Sequence, residues 1–501
     1  MSFVKDSQRE IFGISGISPE ILAVGFAKYS RSQDPIKVTL GSITKESSSK
    51  FHNKWVLGYG DASVADMAMV SISFENVSIL ASKEIEDTRI ASFQEKSTRY
   101  VPFYSVYIPS EISDEESEIY KNTVDHLMAS YNKVKEEMIT YYSKIYPKPE
   151  EMSEKLYKAR LQARALDIAR YLLPTGTVTN FGMIASARSI RYLVSKLKVS
   201  KLQEVRQIAV ELEKAATEKG YSPYDSLEMS DESRELLGAL KETAPTLVKH
   251  TEPRIYLTKL EEAVKKFVVD NELFKEGNPF SKLKIDIEFL PEETNLDPVL
   301  DVISCLVYKY SGVSISRFYG IKRRLEALER TKLVEFLKSV NELRGKYDQP
   351  DRAFEVNSGY IFDTCMDYGA YRDLQRHRMC TQISMPLDTE LGYSTPRDIS
   401  NTTEGIKTYN ETMDFAKEVI DKLPKEIGTY LIPLGFNKRT LFKMNLRELI
   451  HIVNLRTKTG GHFSYRNICY KMYHEFVLKH PELDCLFDAV KMDFEADFFK
   501  R

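Results

Sequence analysis

The chain has 501 residues, of which 42% are hydrophobic, and this is enough apolar material for more than one core. Its 71 basic and 73 acidic residues nearly cancel, which argues against a general nucleic-acid-binding protein and confines any anion site to a local cluster. The five scattered cysteines form no Cys-x-x-Cys pair, so we expect neither disulfides nor a metal site. No apolar run is long enough to span a membrane and no signal-peptide core is present, so we expect a cytoplasmic protein without membrane contact.

The first part of the chain predicts short elements followed by one long helix. Residues 19–30 begin with a proline and show a helical apolar face, as do residues 298–311. Apolar and small residues alternate over 68–75, which predicts a strand, and 77–88 predicts a helix. The segment 112–146 has heptad-like apolar spacing with acidic residues at its start, which favours a long helix.

Later segments repeat this order. Residues 352–378 again predict an acidic turn, a strand, a helix and a basic end, 289 positions after the first block. Residues 403–424 correspond to the long helix in shortened form, and 425–457 resembles 165–197. Each copy ends in a further helix. Three matched blocks in one order predict a tandem duplication.

The sequence therefore predicts an α+β fold with two tandem copies, each with a small, mostly antiparallel sheet and several helices. We expect the first copy at 1–225, a charged helical connector at 226–285 and the second copy at 286–501.

Particular motifs in both copies resemble the signature of flavin-dependent thymidylate synthases. The run RIASFQEKSTRYVPF and the preceding GYGDASVADM carry the resemblance in the first copy, together with ARYLLP and SARSIRYLV. In the second copy it rests on RHR, LIPLG and NLRELIHIVNLR. The resemblance implies a compact α+β domain that shares active sites between subunits of a homotetramer. It also implies conversion of dUMP to dTMP with FAD, NADPH and methylenetetrahydrofolate.

Compared with the family residue by residue, the first copy keeps the positions that the resemblance implies contact the nucleotide. Glu95, Ser97, Arg99 and Arg170 stand where the family contacts dUMP. The Arg-His-Arg triplet of the signature has become Asp87-Thr88-Arg89 in this copy. Two arginines and a hydroxyl are the donors that a phosphate requires.

The second copy keeps the flavin side instead. The positions implied to bind FAD are Arg376, His377, Arg378, Glu355, Asn445 and Arg447. Arg456 stands where the family places an arginine facing the uracil ring, whereas the first copy has Leu197 there. The nucleotide positions have become Pro386, Asp388 and Thr429.

This complementarity predicts one kind of composite site, built from the first copy's nucleotide residues and the second copy's flavin residues. Arg456 and Ser97 are the catalytic candidates, although no base beside Ser97 is visible for nucleophilic use. The opposite composite, with Asp87, Pro386 and Asp388, is predicted to be inactive. We expect a homodimer that mimics the family tetramer and binds dUMP and folate but no nucleic acid.

Two alternatives stay open at this point. One is a flavin-dependent enzyme that acts on another pyrimidine nucleotide or uses another one-carbon donor. The other is a catalytically decayed nucleotide-binding or regulatory homologue.

Overall fold

A computed structural model describes most of both copies. It covers residues 16–29, 35–41, 62–221, 287–290, 297–310, 318–342, 352–356, 359–493 and 497–500, with isolated positions at 14, 230, 231, 233–235, 248, 251 and 253. Apart from those isolated positions, the predicted connector helices between 226 and 285 lie outside the described residues.

The described helices and strands follow the predicted order. In the first copy they are Pro19–Tyr29, Ile36–Gly41, Ala62–Asp66, β1 (Met69–Ser78), Ile79–Glu86, β2 (Ser92–Glu95), Asp114–Ile145, Glu154–Ala169, Arg170–Leu172, β3 (Val178–Ser186), Ala187–Leu197 and Gln203–Thr217. In the second copy they are β4 (Ile287–Leu290), Pro298–Tyr310, Phe318–Glu326, Arg330–Glu342, Arg352–Glu355, β5 (Tyr360–Asp367), Tyr368–Leu374, β6 (Thr381–Ser384), Arg397–Asn401, Thr403–Ile420, Lys425–Gly428, Thr429–Leu431, β7 (Asn437–Met444), Leu446–Arg456, Phe463–Lys479 and Pro481–Leu486.

Each copy contains one small antiparallel sheet. The first has the strand order β1-β3-β2, and the second has the order β4-β5-β7-β6. Strands β1, β2 and β3 correspond by sequence position to β5, β6 and β7, so the repeated unit is a three-stranded antiparallel sheet with its third strand in the centre. The tandem α+β architecture predicted from the sequence is confirmed, and β4 adds one edge strand to the second sheet.

Local sequence explains where the predicted helices begin. Ser78 ends β1, and its side chain accepts the N–H of Ala81, so helix Ile79–Glu86 starts directly after the strand. Ser113 and Glu116 form a reciprocal capping box at the start of Asp114–Ile145. Serine caps thus convert the sequence pattern into defined helix starts.

The long helix Asp114–Ile145 ties the two copies together along its length. Its buried face carries apolar and tyrosine side chains at helical spacing, from Tyr120 to Tyr142. It packs on Glu154–Ala169 in its own copy and on Thr403–Ile420 in the other. Burial of this stripe makes the two copies share one continuous core.

Reciprocal backbone hydrogen bonds join the copies about a local pseudo-twofold axis. Thr175 N–H donates to Ile432 C=O, and the equivalent Leu434 N–H donates to Leu173 C=O, both at 2.9 Å. Pro174 and Pro433 form an antiparallel bridge between these pairs. The copies therefore associate as two subunits of a symmetric dimer would. Because the copies differ in sequence, the axis relates two non-identical regions of contact between them, which we call junctions.

Within the described part of the chain, no helix has the length and apolar character needed to cross a membrane.

Candidate active site

One junction between the copies gathers four of the arginines that the sequence singled out. Asp373 lies on helix Tyr368–Leu374 of the second copy, and Arg170 of the first copy approaches its carboxylate at 3.5 Å. Burial alone would raise the pKa of Asp373, but Arg170, Arg99, Arg456 and Arg376 together hold it below its usual range. Arginines from both copies therefore share one electrostatic site around a single carboxylate.

Arg170 is poorly satisfied at this junction. Arg170 is only 2% exposed, yet its Nε and Nη2 have no hydrogen-bond partner among the described residues. Leaving a charged donor buried and unpaired costs about 1–3 kcal/mol or more. An oxyanion reaching this guanidinium would recover that cost, so Arg170 is the strongest anion-binding candidate of the cluster.

Arg99 reaches across the junction from the first copy. Its Nε donates to Asp167 Oδ1 at 2.8 Å, and its Nη2 donates to the Gly460 carbonyl of the second copy at 3.3 Å. Its guanidinium also lies over the Tyr465 ring, 6.0 Å from the centroid. Burial alone would lower the pKa of Arg99, but the Asp167 carboxylate and the other nearby groups outweigh this and hold it above its ordinary value, so the guanidinium stays charged.

Arg456 and His377 form a direct pair. The Nε–H of Arg456 donates to Nε2 of His377 at 2.7 Å, which requires a neutral imidazole that accepts at this nitrogen. Burial lowers the pKa of His377 to about 4, and the contact with Glu448 only partly opposes this. Arg456 is therefore oriented by the central residue of the triplet, with the Tyr465 ring centroid 5.6 Å from its guanidinium.

A cavity of about 350 Å³ lies beside the triplet. Its lining includes every side chain that the sequence assigned to FAD, namely Arg376, His377, Arg378, Glu355, Asn445 and Arg447. Guanidinium and carboxamide donors suit the carbonyl oxygens of an isoalloxazine or a pyrophosphate, so the residues fit part of a flavin dinucleotide. The cavity has room for one such part, and the rest of the cofactor would extend beyond it.

Two of these residues have a structural task that is duplicated in the first copy. Arg447 forms an ion pair with Glu355, and Arg188 forms the equivalent pair with Asp66 in the first copy. Asn445 caps helix Leu446–Arg456 by accepting the N–H of Glu448 at 2.8 Å. Ser186 caps Ala187–Leu197 in the same way. A serine cap preserves the fold but removes the carboxamide donor from that side.

Glu95 is held by protein groups. Its carboxylate receives Ser82 Oγ and Arg372 Nη2 at 3.0 Å and Lys83 Nζ at 2.8 Å. Burial opposes ionisation, but Arg372 and Lys83 lower the pKa of Glu95 to about 2. Arg376 lies 3.7 Å away, so Glu95 is placed to orient that arginine.

Ser97 and Arg378 lie at the edges of the cluster. The Ser97 hydroxyl accepts the backbone N–H of Arg99 at 3.2 Å, which shapes the turn after β2. Arg378 donates to the Ala91 carbonyl at 2.8 Å and covers the Phe93 ring of the first copy. In return, Arg89 donates to the carbonyls of Arg378 and Met379. The retained and degraded triplets therefore clasp each other.

Sequence reasoning did not assign site roles to Asp167, Asp373 and Tyr465. Asp167 accepts from Arg99, and Asp373 pairs with Arg170. The ring of Tyr465 lies under the guanidinium of Arg456. Asp373 stands shortly before the Arg376-His377-Arg378 triplet, and this position was the one available signal. The other two carry no motif of their own.

One family matches most of the chain, whose two tandem α+β copies meet at one arginine-rich junction and at its counterpart. Residues 16–219 and 315–482 match the family described as thymidylate synthase complementing protein. The chain belongs to this family, as its motifs indicated.

Individual relatives divide into full-length and partial ones. A protein of Chlamydia muridarum called UPF0159 protein is 29% identical over 96% of this chain and 92% of its own. A flavin-dependent thymidylate synthase of Sulfurisphaera tokodaii is 31% identical over 23% of this chain and 48% of its own. A solved structure of the UMP/dUMP methylase PolB from Streptomyces cacaoi, bound with 5-Br dUMP, is 15% identical and covers 42% of this chain and 99% of that one, with a TM-score of 0.31.

Proposed function

We propose that the protein is a flavin-dependent thymidylate synthase that converts dUMP to dTMP with methylenetetrahydrofolate and NADPH, at one composite site per chain. The observation that carries the proposal is the junction around Asp373. There, Arg99 and Arg170 of the first copy approach the same carboxylate as Arg376 and Arg456 of the second. This arrangement supports a single composite site built from the two parts of the split signature.

In this proposal the nucleotide phosphate is bound by Arg170 and Arg99. Arg170 has buried donors with no partner among the described residues. An incoming phosphate would replace Asp373 as its anion and satisfy those donors. Ser97 and the turn that it shapes would then position the ligand through the adjacent Arg99 backbone.

Arg456 would act at the pyrimidine ring. Making uracil C5 nucleophilic places negative charge on the ring carbonyls, and a fixed guanidinium beside them stabilises that charge. Neutral His377 accepts from Arg456 Nε and so fixes its orientation before substrate arrives. A bound flavin would supply the reducing electrons, and Arg376, Arg378, Asn445 and Arg447 would hold it.

A homodimer is part of the proposal, because the cavity beside the triplet holds only part of FAD. The side chains Ile90 and Met379 are 79% and 81% exposed, and they occupy equivalent positions in the two copies. Two such apolar side chains at the clasp of the triplets would suit burial against a second chain.

The test is release of tritium from C5-labelled dUMP by the purified, FAD-reconstituted protein with methylenetetrahydrofolate and NADPH. Stoichiometric release with dTMP as product is expected. Flavin binding without release from dUMP would instead favour another pyrimidine nucleotide or one-carbon donor. A protein that cannot be reconstituted with FAD would contradict the enzyme assignment.

A further inference from the structure

A cavity lies at the second junction between the copies. This counterpart pocket has a volume of about 880 Å³ and is bounded by Glu84 and Asp87 of the first copy and by Tyr371, Ser384 and Lys438 of the second. Such a volume falls within the range of small-molecule sites. The loss of the catalytic signature has therefore not closed this junction.

The counterpart pocket lacks the groups proposed for catalysis. Pro386, Thr429 and Asp87 line it at the positions that Ser97, Arg170 and Arg376 hold in the other junction. Leu197, which replaces the ring-facing arginine, is fully buried. No group at these positions can stabilise an enolate, so ligand binding rather than turnover is the chemistry that the pocket can support.

Lys438 gives the counterpart pocket a cation that the first copy does not have. It lies on β7, and the equivalent residue of β3 is Thr179. Its ammonium lies 4.9 Å from the Tyr371 ring centroid and 5.6 Å from that of Tyr368. Burial lowers the pKa of Lys438 to about 8, and the carboxylates of Asp388, Asp87 and Glu84 act only as weaker opposing influences.

Other lining groups also indicate a polar ligand. The pocket is lined by five lysines and three carboxylic acids, so its formal charge favours an anion. Lys425 is exposed at this site, whereas Lys83 and Lys196 are already paired with carboxylates. Gln375 and Gln382 each keep a buried amide oxygen with no donor among the described residues. A ligand with an anionic end and an N–H donor would match both features.

We propose that the counterpart pocket binds a nucleoside monophosphate without converting it, with Lys438 holding the phosphate. Lys425 adds a second cation, the tyrosine rings provide an aromatic wall, and an amide oxygen of Gln375 or Gln382 accepts the imide N–H of the base. The inference rests on the proposed function, since the pocket is the duplicated counterpart of the proposed dUMP site.

The experiment is calorimetric titration of the full-length protein with dUMP at neutral pH, in the wild type and in three variants. Lys438→Met keeps the aliphatic stem against the tyrosines and removes the charge. Lys443→Met makes the same change on the same strand outside the pocket. Arg170→Met disables the other junction.

The wild type is expected to bind two dUMP molecules per chain. Lys438→Met should weaken one binding event at least tenfold, Arg170→Met the other, and Lys443→Met neither. Lys438→Arg should restore the event lost in Lys438→Met. Tritium release at saturating dUMP should stay within about twofold of wild type in Lys438→Met.

Absence of any binding event that depends on Lys438 would overturn the inference. Binding of inorganic phosphate at this site as tightly as dUMP would overturn its nucleotide assignment. A protein that releases no tritium but keeps the Lys438-dependent event would refute the proposed function while supporting the second site, so the two failures are distinguishable.

Discussion

The two junctions between the copies have the same backbone frame but opposite side-chain chemistry. At one, four arginines surround Asp373 and the adjoining cavity is about 350 Å³. At the other, the equivalent positions carry Asp87, Thr429, Asp388 and Leu197, and the cavity is about 880 Å³. Both are formed by equivalent strands, capped helices and reciprocal backbone hydrogen bonds. The packing frame is therefore common to both junctions, and the difference between them lies in the charged side chains that each presents.

The largest expected effect comes from making the first junction resemble the second. Arg456→Leu introduces the residue that the first copy has at position 197. Because it removes the charge proposed to stabilise the ring carbonyls, tritium release should fall about 100- to 1000-fold. Arg188→Ala, which removes an arginine of the first copy from its ion pair with Asp66, should cost less than about twofold. Equal losses in both variants would contradict the asymmetry.

The junctions should also differ in their response to acid, because His377 has Thr88 as its counterpart. The pKa of His377 falls from an ordinary 6.5 to about 4 in the folded protein. The unfolded chain therefore takes up the proton first as the pH falls. The contribution of neutral His377 to the free energy of unfolding is therefore complete above pH 6.5 and is lost progressively towards pH 4. The free energy of unfolding should fall by about 3 kcal/mol over this range.

Denaturant titrations of the wild type and His377→Gln between pH 7 and pH 4 measure this effect. The wild type should lose more stability over the interval than the variant does. Parallel pH profiles would show that the Arg456–His377 contact does not depend on a neutral imidazole.

The reciprocal glycines at the pseudo-twofold axis test whether the frame is equally tight on both sides. A Cβ at Gly176 would lie 2.9 Å from the Tyr430 carbonyl, which is backbone and cannot move freely. A Cβ at Gly435 would instead meet the ends of the Tyr409 and Met413 side chains. Gly176→Ala should therefore destabilise by about 2–3 kcal/mol and Gly435→Ala by about 1–2 kcal/mol, as thermal unfolding can measure. The reverse order would indicate that the side chains are the stiffer neighbours.

The smallest expected effect concerns the matched ion pairs Arg447–Glu355 and Arg188–Asp66. Only the first pair adjoins the cavity beside the triplet. Arg447→Ala should weaken FAD binding about tenfold, since one charge-assisted contact is lost, whereas Arg188→Ala should leave it unchanged. Fluorescence titration with FAD measures both. A weaker affinity in Arg188→Ala would place flavin in the first copy as well.

Much of the frame was predictable because it depends on local patterns. The alternation at 68–75 predicted the strand observed at Met69–Ser78, and the acidic start at 112 predicted the helix Asp114–Ile145. Serines mark the starts of several helices through capping hydrogen bonds within a few residues, and prolines do so through their fixed φ. The duplication also predicted that a strand within 352–378 would correspond to the one at 68–75, and β5 (Tyr360–Asp367) is that strand.

The pairing of charges was not predictable in the same way. Arg99 contacts Asp167, Gly460 and Tyr465, and the last two are more than 360 positions away in sequence. Nothing in the sequence around Lys438 indicates that its ammonium lies against two tyrosine rings in a cavity. Such contacts depend on how the copies dock, which the sequence pattern of either copy alone does not contain.

The central claim is that one chain supplies both sides of its own active site. Co-expression of Arg170→Met chains with Arg376→Ala chains, followed by the tritium-release assay on the mixed protein, tests it most directly. Each mixed molecule would then lack one half of every arginine site, so activity should stay at the level of the single variants. Recovery of a quarter or more of wild-type activity would show that the two arginines act across different chains and would contradict the claim.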